Sequence, residues 1–173
     1  NATLAKVPFD LEYWAKVARE KYPNGLPKPY SDDPTQWVFH GHPDQSEGAL
    51  QVAIIRLLGY RWPAELDSSL DISDEASAWI KKADLLLRYA DIDGIVCIPS
   101  VRGEASAADR LINLLAAAYG DAWSNDKFSE LLKQADHTGK SLETWLRDKF
   151  FTQHCALFHH RPFIWHIWDG MRD

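Results

Sequence analysis

Apolar side chains recur every three to four residues in several segments of the chain, which is the period of an amphipathic helix packed on a core. Ser or Asp residues often stand where such a segment begins, as N-caps do, and Gly59 and Gly120 stand where two of them end. We therefore predict five to six helices, at about residues 10–22, 46–58, 73–90, 105–119, 126–135 and 141–158.

Two other stretches have compositions that do not suit a helix. Residues 23–45 hold Pro23, Pro27, Pro29, Pro34 and Pro43, and each proline removes a backbone donor, so we expect a Pro-rich loop. Within it only 36–40 has the residues of a short strand, and the β-branched run 95–99 is typical of a second, buried one. The predicted fold is mainly α (α+β at most): a compact bundle of five to six helices with one or two short strands.

The composition is that of one ordinary globular domain. The chain has 173 residues, 46% of them hydrophobic, which is enough for a core. Asn1 and Ala2 are typical of a cloning remnant, and both ends look like cut sites, so we expect residues 3–173 to form a single domain of a longer protein. Cys97 and Cys155 stand in apolar surroundings, as reduced thiols do, and no apolar run approaches the ~20 residues that cross a membrane. We expect a cytoplasmic protein with no membrane partner.

Two local motifs are typical of phosphate chemistry, but their contexts favour simpler interpretations. Asp91-Ile92-Asp93-Gly94 is similar to the opening of aspartate-nucleophile phosphatases, in which one carboxylate attacks phosphorus. The residues before it continue a helix, so we interpret it as a polar turn between a helix and a strand. Gly139-Lys140-Ser141 matches the end of a P-loop, but Gln134 stands where the motif needs glycine, so we predict a helix start.

Seven histidines raise the question of a metal site. None has the spacing of a structural zinc site or of a His-Glu-x-x-His helix. His154 and His159 are five residues apart, which turns them toward different faces of a helix. No glycine-rich cofactor loop follows a strand either. We therefore predict no catalytic, cofactor-binding or metal-binding residue in this chain.

The segment 150–170 is unusually rich in aromatic residues, which could stack on nucleic-acid bases or form core and docking surface. A base-stacking groove normally has a basic track beside it, whereas this chain has a net charge of −6. We favour core or interface. The residues that we expect to form an interface are Phe158, Arg161, Phe163, Trp165 and Trp168.

The segment 159–170, His-His-Arg-Pro-Phe-Ile-Trp-His-Ile-Trp-Asp-Gly, resembles a stretch of large bacterial adenine-specific DNA methyltransferases. These are the fused restriction-modification enzymes called Type IIG and the methyltransferases of BREX phage-defence systems. Segments 33–41, 57–63, 94–99 and 142–151 are similar to the same proteins, in the same order. The resemblance thus spans most of residues 30–170.

The resemblance implies a parent enzyme that transfers a methyl group from S-adenosylmethionine to adenine in DNA, after flipping the base into a pocket. The catalytic Asn-Pro-Pro-Tyr-type motif and the methyl-donor site of that family do not occur in this sequence. The matching part is an accessory region C-terminal to the catalytic core. Its implied role is to scaffold the core or help position DNA, with the rest of the parent chain as its partner.

Two alternatives from other classes remain open. The chain could be a free-standing protein-interaction or adaptor domain unrelated to methylation. It could also be a small enzyme built around Asp91 and Asp93. A methyl-donor motif upstream in the gene would favour the methyltransferase over the adaptor, and a phosphatase assay on wild type and Asp91→Asn tests the enzyme.

The charge balance leads to a prediction about DNA. With 19 Lys and Arg against 25 Asp and Glu, the chain lacks the basic surplus that supplies most non-specific DNA affinity. We expect the isolated chain to bind short duplex DNA weakly or not at all at physiological salt in a fluorescence anisotropy titration. Tight binding that weakens steeply with added salt would contradict this and indicate a local basic groove.

Overall fold

The computed structural model describes residues 9–23, 40–68, 70 and 72–167. The chain divides into two compact units, residues 1–30 and 31–173. In the first unit, helix α1 covers Leu11–Lys21. It begins as predicted at Asp10, whose carboxylate accepts a hydrogen bond from the backbone N–H of Tyr13 at 3.0 Å. No residue of α1 is buried.

The second unit contains the remaining helices and the core. Helix α2 lies at the centre of this core, because all nine of its residues are buried, and it packs against α5. Within the described residues, no helix is long and apolar enough to cross a lipid bilayer. The helices are α2 (Ala49–Leu57), α3 (Pro63–Leu66), α4 (Asp74–Asp84), α5 (Ala107–Tyr119), α6 (Asn125–Gln134), α7 (Leu142–Trp145) and α8 (Phe151–Leu157), with a π-helical turn, Leu146–Phe150, joining α7 to α8.

The helix starts follow from serine caps. Ser73, Ser106, Ser124 and Ser141 precede α4, α5, α6 and α7, and each hydroxyl accepts the backbone N–H three residues later. Such a cap satisfies a donor that the first turn of a helix leaves unpaired. The predicted mainly helical character of the chain is confirmed.

The helix ends that the glycines predict are also confirmed. Gly59 follows α2 with a φ of 80°, and Gly120 follows α5 with a φ of 51°. A residue with a side chain rarely adopts these positive values, so glycine is the residue that stops a helix here at little cost.

Three details of the predicted fold differ from the structure. The strand predicted at 95–99 is wrong: the described residues contain no strand, and Ile95 is 67% exposed. The helix predicted to reach residue 90 ends at Asp84 and is followed by a 3₁₀ turn, Leu87–Tyr89. The strand predicted at 36–40 lies outside the described residues except for its last residue. The added short elements, such as α3, make the helices more numerous than predicted.

The early end of α4 has a tertiary cause. The backbone N–H of Asp91 donates to the carbonyl of Leu57 at 2.7 Å, which ties the loop after α4 to the C-terminus of α2. The Asp91 carboxylate then accepts the N–H groups of Asp93, Gly94 and Ile95. Of the β-branched run, the Ile95 N–H is therefore held by the Asp91 side chain, and no strand in the described part of the chain pairs with the run.

A buried ion pair joins α2 to α3. The Arg56 and Glu65 side chains are 1% and 0% exposed, and Arg56 Nη1 lies 2.8 Å from Glu65 Oε1. Arg56 Nε also donates to the Gly41 carbonyl at 2.6 Å, while Glu65 Oε2 accepts the backbone N–H of Trp62 at 2.6 Å. The guanidinium carbon lies 4.4 Å from the centre of the buried Trp62 ring, within cation–π distance. One arginine therefore connects the chain before α2 to the turn after it.

We expect Glu65→Gln to lower the free energy of unfolding by about 3–5 kcal/mol, because it leaves the Arg56 charge buried without its partner. Urea unfolding followed by far-UV circular dichroism measures the loss. The matched control is Asp84→Asn, which breaks the exposed Arg61–Asp84 pair and should cost no more than ~1 kcal/mol. Equal losses in the two variants would contradict the structural role of the buried pair.

His42 is a second buried polar group near α2. It is 3% exposed, its Nδ1 accepts the backbone N–H of Asp44 at 3.3 Å, and its ring packs against Trp79. Burial disfavours the charged imidazolium and lowers the pKa of His42 to about 4. The ring is therefore neutral at neutral pH.

This burial makes stability depend on pH. Because the folded pKa lies below the ~6.5 of an unfolded histidine, the folded state binds fewer protons, so stability is complete above pH 6.5 and is lost as the pH falls toward 4. We expect the free energy of unfolding to fall by about 2 kcal/mol through His42 between pH 7 and pH 4.5. In urea unfolding, His42→Asn should reduce this fall and His159→Asn, at an exposed position, should not. The same fall in both variants would show that His42 is not its source.

Candidate interaction surface

The chain reverses direction at the end of α8. His159 and His160 both have positive φ angles, 51° and 60°, which turn the backbone away from the helix axis. The N–H of His160 donates to the Cys155 carbonyl at 2.7 Å, and that of Arg161 donates to the Phe158 carbonyl at 2.9 Å. We call residues 158–167, which include this turn and the residues after it, the aromatic segment.

His154 holds the aromatic segment against α8. It is fully buried, and its Nε2 accepts the backbone N–H of Ile164 at 3.2 Å. The Phe163 ring lies 5.0 Å from the His154 ring and 4.9 Å from the Phe158 ring, between ring centres. Ile164 itself is 9% exposed. The segment thus folds back onto the helix from which it emerges.

The electrostatic state of His154 suits this role. Burial lowers the pKa of His154, so the ring is neutral and Nε2 keeps the lone pair that accepts the Ile164 N–H. The proton of the neutral ring then lies on Nδ1, because Nε2 is the acceptor. A charged ring could not accept this hydrogen bond.

Beyond Ile164 the side chains alternate between the core and the solvent. Trp165 and Ile167 are 76% and 87% exposed, whereas His166 is half-buried, its ring 6.1 Å from that of Phe151. Alternation with a period of two is the geometry of an extended backbone. It directs the Trp165 and Ile167 side chains into solvent, and Phe163, which is 38% exposed, stands two positions before Trp165.

The residues predicted to form an interface fall into three groups. Arg161, Phe163 and Trp165 are exposed, so they are available for contact. Phe158 is buried and supports the segment from within the core. Trp168 lies outside the described residues. Ile167 was not among the residues predicted from the sequence, because the run Phe163-Ile164-Trp165-His166-Ile167 does not by itself show which of its side chains are buried.

We call Arg161, Phe163, Trp165 and Ile167 the apolar surface. Large apolar side chains that are exposed at alternate positions of one segment, as at 163, 165 and 167, are a feature of surfaces that contact another molecule or domain. Tryptophan and arginine are also the residue types that most often supply binding energy at protein interfaces.

The Asp91 motif has the geometry of a turn. Besides its three backbone hydrogen bonds, the Asp91 carboxylate pairs with Arg110, with 2.7 Å between Oδ2 and Nη1. Partial burial alone would raise the pKa of Asp91, but the hydrogen bonds and the Arg110 charge outweigh it and lower the pKa to about 2. Both oxygens are thus engaged, which suits a structural acceptor better than a nucleophile.

The motif similar to a P-loop lies at the start of α7. Ser141 caps this helix by accepting the N–H of Thr144, which confirms the predicted helix start.

The histidines are not grouped as metal ligands. Among the buried ones, His137 contacts the Thr144 hydroxyl at 2.8 Å through its Nε2. Throughout the described ranges, no three His, Cys, Asp or Glu side chains are grouped so as to hold a metal ion.

Comparisons with known proteins do not assign a function to this surface. No protein-family model matches the chain, and neither a curated protein sequence nor a solved structure matches it. What characterises the surface is its own chemistry: apolar side chains beside an arginine, on a segment that is firmly anchored.

The alternation gives a paired prediction. We expect Ile164→Ala to lower the free energy of unfolding by about 2–4 kcal/mol, because it empties a buried site. Trp165→Ala removes a larger side chain from the next position but should change stability by no more than ~0.5 kcal/mol, because that side chain is in solvent. Urea unfolding measures both. A large loss for Trp165→Ala would mean that Trp165 is part of the core.

Proposed function

We propose that this chain is a non-catalytic accessory domain of a large, cytoplasmic, adenine-specific DNA methyltransferase of a restriction-modification or phage-defence system. Its apolar surface packs against another part of the same protein. In this role the domain scaffolds the catalytic core or helps position DNA, while S-adenosylmethionine binds elsewhere in the parent.

The observation that carries the docking part of the proposal is the exposure of Trp165 and Ile167 on an anchored segment. A mobile tail would lose conformational entropy on binding, whereas a segment held by His154 is already ordered. The identity of the parent rests on the resemblance of five segments, among them 159–170, which contains the apolar surface itself.

The charge of the chain supports an indirect relation to DNA. A net charge of −6 is repelled by phosphates, so the parent would contact DNA mainly through other regions. A free-standing adaptor would use the same apolar surface on a separate protein. For the accessory domain the partner is encoded in the same gene, whereas for the adaptor it is encoded in a different gene.

The full open reading frame tests directly whether the parent protein is a methyltransferase. We expect it to encode a methyl-donor motif and an Asn-Pro-Pro-Tyr-type motif upstream of these residues. A gene that encodes neither would contradict the methyltransferase and leave the adaptor.

In that full-length protein we expect Trp165→Ala combined with Ile167→Ala to reduce methyl transfer from labelled S-adenosylmethionine to DNA at least tenfold, because the domain no longer holds the core. The matched control is Ile92→Ala, which removes an equally exposed apolar side chain in the loop after α4. Unchanged methyl transfer in the double variant would contradict the docking role.

A further inference from the structure

Beyond its reversal, the aromatic segment is held to α8 by a single backbone hydrogen bond. Among the described residues 162–167, the Ile164 N–H donates to His154 Nε2, and no other backbone group makes a hydrogen bond. The remaining attachment is side-chain packing, since Ile164 is buried and the Phe163 ring lies against those of His154 and Phe158. The packed position of the segment therefore depends on the side chain that accepts this hydrogen bond.

His154 can accept it only while its ring is neutral, because Nε2 then carries a lone pair. In a protonated ring, Nε2 carries a hydrogen that would point at the Ile164 N–H, so two donors would face each other across 3.2 Å. Nδ1 is also buried and has no hydrogen-bond partner in the described part of the chain. Neither proton of a charged ring would thus find an acceptor, which is costly for buried donors.

The surroundings of His154 do not compensate a positive charge. Burial lowers the pKa of His154, and no charged group among the described residues contributes to this shift. The rings of Phe150, Phe158 and Phe163 are tilted by 35–59° to the imidazole, and their attraction for a cation is weaker than the cost of removing that cation from water. Residues 149–168 also contain neither Asp nor Glu.

The other charged and titratable groups on the elements around His154 are paired, exposed or turned to other neighbours. The pairs are Arg56–Glu65 between α2 and α3, Arg61–Asp84 after α2, and Arg147–Asp148 and Lys149–Asp136 at the π-helical turn. In the aromatic segment, His159, His160 and Arg161 are exposed. The partly buried groups are Cys155, His166 against Phe151, and Tyr60 against Phe163.

The reversal before the segment also favours its release. His159 and His160 have φ angles of 51° and 60°, a region that residues other than glycine rarely adopt. Such conformations persist only where surrounding contacts hold them, so release of the segment relieves this strain. A segment with few backbone hydrogen bonds can open without unfolding the core.

We propose that protonation of His154 releases the aromatic segment from α8 while the core of the second unit stays folded. The apolar surface is then held in a fixed orientation while His154 is neutral and loses that orientation in acid. The regulation of docking by this switch rests on the proposed function, whereas the release is a property of the chain alone.

The direction of the pH dependence follows from the two states of the ring. In the released segment the ring is solvated and has the ordinary histidine pKa of ~6.5, whereas burial lowers the pKa in the packed segment. The segment therefore stays packed above pH 6.5. Below it, the ratio of released to packed segment rises about tenfold per pH unit, until the pH reaches the lowered pKa.

Hydrogen exchange at the Ile164 N–H measures this release in the 173-residue chain, because this amide exchanges when its hydrogen bond to His154 opens. We expect its protection factor to fall at least tenfold between pH 7 and pH 5. At pH 7 it should also lie at least tenfold below that of Leu115, a buried residue of α5. A constant protection factor at Ile164 overturns the proposal. Equal protection of the two amides at pH 7 also overturns it, since the segment would then open only when the core unfolds.

His154→Gln tests which group takes up the proton. The glutamine oxygen can accept the Ile164 N–H but does not titrate, so we expect the protection factor of Ile164 to change less than twofold between pH 7 and pH 5. The matched controls, His166→Gln and His159→Asn, remove neighbouring histidines and should keep the tenfold fall. A fall that survives in His154→Gln overturns the assignment to His154.

The wild-type chain provides a second measurement even where His154→Gln does not fold. Imidazole nitrogen shifts report the protonation of His154 directly, and we expect a neutral ring with its proton on Nδ1 at pH 6.5. A ring that is already charged at this pH while the Ile164 N–H remains protected overturns the proposal.

Failure of this switch and failure of the proposed function are distinguishable. Constant protection at Ile164 would remove the switch and leave the docking of the apolar surface intact. Unchanged methyl transfer in the variant that combines Trp165→Ala with Ile167→Ala would remove the docking and leave the switch.

Discussion

The Arg56–Glu65 ion pair, which is buried in the second unit, constrains how the segments around α2 pack. A guanidinium on a fully buried helix is tolerable only if its charge and its donors are matched, because the interior cannot solvate it. The Gly41 carbonyl, the Trp62 ring and the Glu65 carboxylate are these partners. The segments before and after α2 must therefore both approach the Arg56 side chain. A hydrophobic pair of the same size could stabilise the core equally well, but it would lack the directed hydrogen bonds that the Arg56 and Glu65 side chains make. These hydrogen bonds tie α2 to α3 and to the preceding loop.

Local signals made the helix boundaries predictable. A serine cap or a terminating glycine acts within four residues, so Ser73, Ser141 and Gly59 can be recognised without knowing the rest of the fold. The loop at 91–95 could not be predicted, because its form depends on a hydrogen bond to Leu57 and an ion pair to Arg110. A β-branched run indicates a strand only where another strand can pair with it.

The candidate functional surface likewise has a part that the sequence predicts and a part that it does not. Aromatic density predicted the region of the apolar surface, but composition alone cannot separate buried Phe158 from exposed Trp165. That separation depends on the reversal at His159 and on the anchor between His154 and Ile164.

The π-helical turn at Leu146–Phe150 shifts the phase of the last helix. Each residue of an α-helix rotates its successor by about 100°, so one extra residue within a turn carries everything after it to a new face. Trp145 and Phe150, five apart, thereby both reach the core with rings 5.7 Å between centres, and Lys149 is left toward solvent. His154 follows Phe150 by one regular helical turn, so it lies on the same face of the helix as Phe150. The orientation of the surface that displays Trp165 thus depends on the extra residue of the π-helical turn, some fifteen positions upstream.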